Sequence, residues 1–140
     1  MDGIFPVLQA IASKGYTLIV VTNQSGIGRG YYTQEDFRIL TEWMLARFSE
    51  QGILIAGVYS CPHSPESSCT CRKPAPGLFL QAIQEHGIDP SLSWMIGDKP
   101  SDMVAAAAAG IENRVLLGTS DSEQSNHTIS ELSELMNLLV

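Results

Sequence analysis

The segment TLIVVTNQSGIGRG, residues 17–30, decides the fold class expected of this 140-residue chain. Its first six residues form a continuous apolar and β-branched run, which is typical of a strand buried on both faces of a parallel sheet. The polar, glycine-rich stretch 23–30 predicts a loop directly after that strand. Because ligands bind beyond the carboxyl ends of the strands in such sheets, this loop is a candidate binding site.

Helical and strand patterns alternate on both sides of this segment. The alternation predicts an α/β fold with a parallel sheet and helices on both of its faces. The predicted helices cover residues 4–14, 33–51, 77–86 and 104–109, the further strands cover 55–60, 94–96 and 114–117, and a last helix begins at Thr128.

Finer expectations concern the second and the last helix. Thr33 with Asp36 three residues later resembles a capping box at the start of the second helix. Two apolar stripes are expected to face the core: Phe37, Leu40, Met44, Leu45 and Phe48 in the second helix, and Ile129, Leu132, Leu135, Met136 and Leu139 in the last. His86 is expected at a helix C-terminus and His127 in a surface loop.

Composition and charge exclude several functional classes. With 44% apolar and 16% charged residues, one domain with its own core is expected over residues 1–140. Eight basic against 15 acidic residues give a net charge of -7, which argues against nucleic-acid and anionic-membrane partners. No apolar run approaches the ~18 residues of a membrane span, and the start lacks a basic signal region. A cytoplasmic location is therefore expected. The oligomeric state is left open, with a monomer favoured.

Three cysteines and one histidine lie within eleven residues of one predicted loop, 61–74. Cys61, His63, Cys69 and Cys71 offer three thiolates and one imidazole, a complete tetrahedral set for a structural Zn²⁺. An odd, tightly clustered set suits a disulfide framework poorly, so the zinc interpretation is favoured. An accidental cluster of reduced cysteines is the alternative.

Polar motifs follow two of the predicted strands. Thr22 and the four residues after it, Asn23, Gln24, Ser25 and Gly26, provide a hydroxyl and successive backbone N–H groups that suit an anion. An ordinary polar turn is the alternative.

The second of these motifs, Gly97-Asp98-Lys99-Pro100-Ser101-Asp102, places a carboxylate where it suits Mg²⁺. Asp98 has few structural uses at the end of a strand. Asp102 falls in the first turn of the next helix, where a carboxylate also favours the helix dipole. A helix-start function and a metal-site function are both open for Asp102.

A third motif, Arg72-Lys73-Pro74, lies inside the cysteine loop. A lysine held by a following proline can neutralise a phosphate or a carboxylate nucleophile. A solvated basic pair is the alternative.

Taken together, the motifs resemble the haloacid dehalogenase phosphatase superfamily, and most closely the D-glycero-D-manno-heptose 1,7-bisphosphate 7-phosphatase family. The resemblance covers about residues 2–120 and is carried by VVTNQSGIGRG (20–30), LTEWM (40–44), CPHSP (61–65), CTCRKPAPG (69–77) and GDKPSDM (97–103). The histidinol-phosphatases share the cysteine loop and Arg-Lys-Pro, and are the second candidate family. Ser25, Arg29-Gly30 and Lys99 are more similar to the heptose enzymes.

The resemblance implies a haloacid dehalogenase-like Rossmannoid fold and a Mg²⁺-dependent hydrolysis of a sugar phosphate in lipopolysaccharide biosynthesis. Thr22 then hydrogen-bonds the transferring phosphate, helped by the Asn23 backbone, and Lys73 balances charge. Asp98 holds Mg²⁺ with Lys99 beside it. The residues implied to touch the substrate are Gln24, Ser25, Gly26, Arg29, Arg72 and Lys99. Those implied to hold Zn²⁺ are Cys61, His63, Cys69 and Cys71.

One signature of the resembled family has no counterpart in the sequence. Family members carry a strand that ends in Asp-x-Asp-Gly-Thr, whose first aspartate is the nucleophile, and no such segment occurs in these 140 residues. Asp2-Gly3 is not a substitute, because no buried strand precedes it and no threonine follows. We therefore expect the central strand to be missing and the chain alone to lack phosphatase activity. A misassigned start or truncated gene is favoured over an inactive, zinc-stabilised fragment with a binding role.

Overall fold

The computed structural model describes residues 4–23, 32–61, 75–118 and 124–138. Close contacts divide the chain into two units, Met1–Ser67 with Met136–Val140, and Ser68–Leu135. Each unit is built around its own parallel sheet. No helix in the described ranges is long and apolar enough to cross a membrane. The single domain expected over residues 1–140 stays a prediction.

The first unit contains two helices and two strands. They are α1 (Ile4–Ser13), β1 (Leu18–Asn23), α2 (Gln34–Glu50) and β2 (Ile55–Cys61). Helix α1 buries Val7 and Ile11 and packs Phe5 edge-on against Phe48, with ring centroids 5.7 Å apart. The strands β1 and β2 run parallel, after a register shift beside Leu18.

The second unit contains a three-stranded sheet with the order β3-β4-β5, all parallel. Its elements are α3 (Gly77–His86), a 3-10 turn (Pro90–Leu92), β3 (Trp94–Gly97), α4 (Pro100–Ala108), β4 (Asn113–Leu117), β5 (His127–Ile129) and a second 3-10 turn (Leu132–Glu134). The last helix, α5 (Leu135–Leu138), begins at the end of this unit. Met103, Ala105, Ala106, Val115 and Leu116 form the fully buried centre of its core.

The fold class is that expected, but the burial of β1 is not. Residues 18–22 are half-buried, although their sequence predicts a strand covered on both faces. Among the described residues β1 has one strand neighbour, β2, and β3 has one, β4. The central strand β4 has neighbours on both sides, and its Val115 and Leu116 are completely buried. An apolar run therefore does not by itself determine how far a strand is buried.

The prediction for the C-terminal segment is wrong in part. Thr128 lies in β5, where it pairs with Leu116, and does not begin a helix. His127 is also in β5, half-buried and stacked on Trp94 with centroids 6.0 Å apart, and is not in a surface loop. Sheet pairing overrides the local helical pattern here. Helical structure starts at Leu132, where the Glu134 carboxylate accepts hydrogen bonds from the backbone of the preceding residues.

One residue of the expected α2 stripe points away from the core. Leu40 is 60% exposed, like Trp43 three residues later, which shares its face of the helix. The other four residues of the stripe are half-buried, as are the side chains of β1. His86 does end α3, as expected, and Gly87 follows it with φ +61°, a conformation that favours glycine.

Candidate active site

Asp98 and Lys99 follow directly on the carboxyl end of β3. The strand is held in register with β4, so that Gly97 lies opposite the fully buried Leu116. Asp98 and Lys99 are both exposed. The two charged residues Asp98 and Lys99 are therefore exposed to solvent directly after the end of β3. This is where a parallel sheet is expected to bind ligands.

The backbone after Asp98 turns immediately into α4. Pro100 occupies the first helical position, where its missing N–H costs nothing. The Asp102 N–H donates to the Lys99 carbonyl oxygen at 3.0 Å, and the Lys99 N–H donates to Asp102 Oδ2 at 3.3 Å. Asp102 is only 4% exposed. A helix-start function and a metal-site function were both open for Asp102. The structure shows the hydrogen bond expected for the helix-start function.

Gly97 is required by this arrangement. A Cβ atom at position 97 would lie 2.5 Å from Asp102 Oδ2 and 2.7 Å from Asp102 Cβ. Both distances are shorter than any ordinary contact between such atoms. The glycine therefore lets the end of β3 approach the Asp102 side chain closely.

Thr22 and Asn23 occupy the equivalent carboxyl end of β1 in the first unit. Thr22 pairs with Ser60 and Asn23 with Cys61 at the end of β2. Thr22 is half-buried, and Cys61 is completely buried. This strand end places a hydroxyl and successive backbone groups beside the start of the cysteine loop.

The remaining predicted site residues lie outside the described ranges. They are Gln24, Ser25, Gly26, Arg29, His63, Cys69, Cys71, Arg72 and Lys73. Within the described ranges, no three His, Cys, Asp or Glu side chains are grouped so as to hold a metal. The roles of the nine predicted site residues outside the described ranges stay predictions.

The close approach of Gly97 to Asp102 is a structural feature beside Asp98 that sequence reasoning missed. The available signal was an acidic residue at the third helical position, with a glycine five residues before it. That spacing indicates a cap, but not the burial of the carboxylate or its packing against the strand end.

Comparisons with known proteins agree with this fold. The family model Hydrolase_like (HAD-hyrolase-like) matches residues 70–134. A putative HAD-like phosphatase from Mesorhizobium loti is 28% identical with a TM-score of 0.84, over 97% of this chain and 70% of that one. The D,D-heptose 1.7-bisphosphate phosphatase from B. bronchiseptica, crystallised with magnesium and phosphate, shares the fold, with a TM-score of 0.89 at 23% identity over 99% of this chain and 82% of its own. The fold is thus of the HAD-like α/β class.

Sequence relatives narrow the class. The D-glycero-beta-D-manno-heptose-1,7-bisphosphate 7-phosphatase of Pasteurella multocida is 42% identical over 99% of this chain and 82% of its own. The protein of the same name from Helicobacter pylori strain 26695 is 51% identical over 82% and 67%. The chain belongs to the D-glycero-beta-D-manno-heptose-1,7-bisphosphate 7-phosphatase family. The resemblance found in its motifs is confirmed.

Proposed function

We propose that this chain is the substrate- and metal-holding part of a phosphatase for the 7-phosphate of D-glycero-D-manno-heptose 1,7-bisphosphate. The observation that carries the proposal is 42–51% identity to proteins of that name, together with an exposed aspartate at the carboxyl end of β3. The same relatives favour this substrate over histidinol phosphate. The product of the reaction is a heptose monophosphate for lipopolysaccharide synthesis.

A magnesium ion fits the chemistry of the Asp98 position. Mg²⁺ prefers oxygen ligands and usually keeps several waters, with one or two carboxylates and a substrate phosphate completing its shell. Asp98 offers one exposed carboxylate beside the backbone of a strand end. When bound, the ion would neutralise charge on the phosphate.

The roles of the chain's own residues follow from where charge accumulates in phosphoryl transfer. Thr22 donates a hydroxyl hydrogen bond to the phosphate, and the Asn23 N–H supports it. Lys73 and Lys99 offset negative charge on the phosphate oxygens. Such catalysis consists of positioning and of charge stabilisation. The contacts to the sugar or its second phosphate are assigned to Arg72 and the loop 24–30.

The nucleophile is not among the residues available to this chain. The family mechanism transfers phosphate to the first aspartate of an Asp-x-Asp-Gly-Thr segment, and none of the 140 residues forms that segment. We propose that the 140-residue chain binds substrate without releasing phosphate.

A structural zinc ion is the second metal proposed. Its support is the donor set Cys61, His63, Cys69 and Cys71 within eleven residues, and the complete burial of Cys61 at the end of β2. Elemental analysis of protein purified with zinc present should give one Zn²⁺ per chain, and Cys69→Ser should destabilise the fold. A chain without zinc, and a harmless Cys69→Ser, would remove the site.

The remaining proposals concern location and partners. Reduced clustered cysteines suit the cytoplasm, and the net charge of -7 favours neither nucleic acid nor a membrane surface. A monomer is proposed.

Calorimetric titration of the 140-residue chain tests the substrate. In the presence of Mg²⁺, heptose 1,7-bisphosphate should bind more tightly than heptose 1-phosphate, which lacks the scissile group, and than histidinol phosphate. Phosphate release should stay at background. Tighter binding of histidinol phosphate would contradict the substrate, and robust Mg²⁺-dependent release lost in Asp98→Asn would contradict the missing nucleophile.

A further inference from the structure

An open groove lies between α2 and β2 in the first unit. Its volume is about 420 Å³, which falls within the range of about 300–1,000 Å³ that small-molecule sites occupy. The first two turns of α2 form one side of the groove, and Val58 and Ser60 of β2 form the other. The groove is therefore large enough for a small ligand, and the chemistry of its lining decides which kind.

The groove lies beside the strand end that carries Thr22. Ser60 lines the groove and is the register partner of Thr22 in the pair of β1 and β2. Neighbouring strands of a sheet lie about 4.7–4.9 Å apart, so the two residues are adjacent. Thr22 is the residue proposed to hydrogen-bond the transferring phosphate. A substrate whose phosphate is held there would have the groove within reach of its sugar.

The charges on the rim of the groove disfavour a second phosphate in it. Nε and Nη2 of Arg38 donate to the Glu35 carboxylate, and Nη1 donates to Glu42 Oε1 at 2.6 Å. Two carboxylates and one guanidinium leave the rim with one excess negative charge. Among the groove residues that the structure describes, Arg38 is the one cation, and it is already paired. An uncharged ligand therefore fits this groove better than an anion.

The rest of the lining suits a neutral polyol. Phe37 and Val58 offer apolar surface to the C–H groups of a sugar, and Thr41 and Ser60 offer hydroxyls that can donate and accept hydrogen bonds. All four residues are half-buried. The carboxylate oxygens on the rim are acceptors for further ligand hydroxyls. Apolar walls with a few polar groups are the usual composition of a small-molecule site.

We propose that the groove between α2 and β2 holds the uncharged, hydroxyl-bearing part of the sugar substrate, and that Ser60 is a specificity-determining residue there. The proposal rests on the proposed function of the Thr22 strand end. The second phosphate, which the rim disfavours, is left to Arg72 and the loop 24–30. Because the groove contacts the sugar and not the transferring phosphate, changes in it should alter the affinity for the sugar phosphate and not that for inorganic phosphate.

A substitution that fills the groove tests the proposal by titration calorimetry of the 140-residue chain with Mg²⁺ present. Ser60→Phe should weaken binding of heptose 1,7-bisphosphate by about tenfold or more, because the added ring would occupy the groove. Binding of inorganic phosphate should not change. Ala56→Phe is the matched control, since it places the same ring at an exposed position of β2 outside the groove. It should leave both affinities as they are.

Ser60→Ala is the milder variant, and it keeps the test valid if Ser60→Phe does not fold. Loss of one hydrogen bond should weaken binding of the bisphosphate by about 2- to 10-fold. Unchanged affinity for the bisphosphate in the Ser60 variants would overturn the proposal. An equal loss in Ala56→Phe, or an equal loss of affinity for inorganic phosphate, would also overturn it, because the effect would then not come from the groove.

The unphosphorylated heptose separates this proposal from the proposed function. In the wild type it should shift the backbone amide resonances of Phe37, Thr41 and Ser60, and these shifts should disappear in Ser60→Phe. A chain that shows the shifts, but binds the bisphosphate no more tightly than the free sugar, would contradict the phosphate site and support the groove. Absence of shifts at these amides with either ligand would overturn the groove, whether or not the bisphosphate binds.

Discussion

The starts of α2 and α4 share one hydrogen-bond pattern but differ in their exposure to solvent. At each start an acidic residue at the third helical position accepts a hydrogen bond from the N–H three residues earlier. In α2 the Thr33 hydroxyl also accepts a hydrogen bond from the Asp36 N–H, and both residues are exposed. In α4 the residue before the helix is Lys99, and the acid is buried against Gly97. The first arrangement is exposed to solvent, and the second packs against the end of β3 beside Asp98.

The largest expected stability effect comes from Gly97→Ala. The added methyl group would overlap Asp102, and overpacking of this kind costs about 1–3 kcal/mol. Urea unfolding followed through the fluorescence of the two tryptophans, Trp43 and Trp94, measures the change. The matched control is the same substitution in an Asp102→Ala background, where the cost should fall well below that in the wild type. An equal cost in both backgrounds would show that Gly97 and Asp102 do not interact.

The next effect compares the two acids directly. Asp102→Ala should destabilise the chain by about 1–2 kcal/mol, because it removes a buried acceptor of the Lys99 N–H. Asp36→Ala should cost only about 0.5 kcal/mol, because its contact is exposed to solvent. The same unfolding experiment measures both. Equal losses would contradict the distinction between the two helix starts.

A third prediction concerns the residues that precede the two helices. Thr33→Ala should cost about 1 kcal/mol, since the Thr33 hydroxyl accepts the Asp36 N–H at 3.0 Å. A lysine side chain has no acceptor, so Lys99→Ala should leave stability nearly unchanged. Thermal unfolding of the two variants checks the difference. A larger loss in Lys99→Ala would mean that its side chain stabilises α4 in some other way.

The smallest expected effect is a pH dependence of the stability of the 3-10 turn at Leu132–Glu134, caused by the Glu134 carboxylate. Hydrogen bonds from the backbone N–H groups of Glu131 and Ser130 lower the pKa of the Glu134 carboxyl. A lowered pKa in the folded chain gives stability that is present above the ordinary carboxyl pKa and is lost as pH falls through the lowered value.

Amide exchange at residues 130 and 131, followed from about pH 7 to about pH 3, measures this loss after correction for the intrinsic rates. Glu134→Gln removes the titrating group and should flatten the profile. An unchanged acid-side loss in Glu134→Gln would assign the pH dependence to another carboxyl.

Features that depend on neighbouring residues were predictable from the sequence. The capping box of Thr33 and Asp36 and the bounds of α3 are as expected, because both are set within a few residues. The resemblance to the heptose phosphatases, which the sequence relatives confirm, was predictable because its motifs occupy short contiguous stretches. Asp98 lies at a strand end, as expected from the apolar run before it.

Features that depend on tertiary contacts were not predictable. Thr128 joins the sheet beside β4, although its own segment has a helical pattern. The half-burial of β1 depends on what packs around the strand, which no local pattern shows. The approach of Asp102 to Gly97 depends on how α4 turns back from β3, and the sequence shows only that a glycine and an acid are five residues apart.

The most direct test of the proposed phosphatase site is the effect of Mg²⁺ on binding of heptose 1,7-bisphosphate. Titration calorimetry of wild type and Asp98→Asn, each with and without Mg²⁺, measures it. We predict that Mg²⁺ tightens binding to the wild type by about tenfold or more, equivalent to about 1.4 kcal/mol, and has little effect in Asp98→Asn. An equal effect of Mg²⁺ in both proteins, or none in the wild type, would contradict the account.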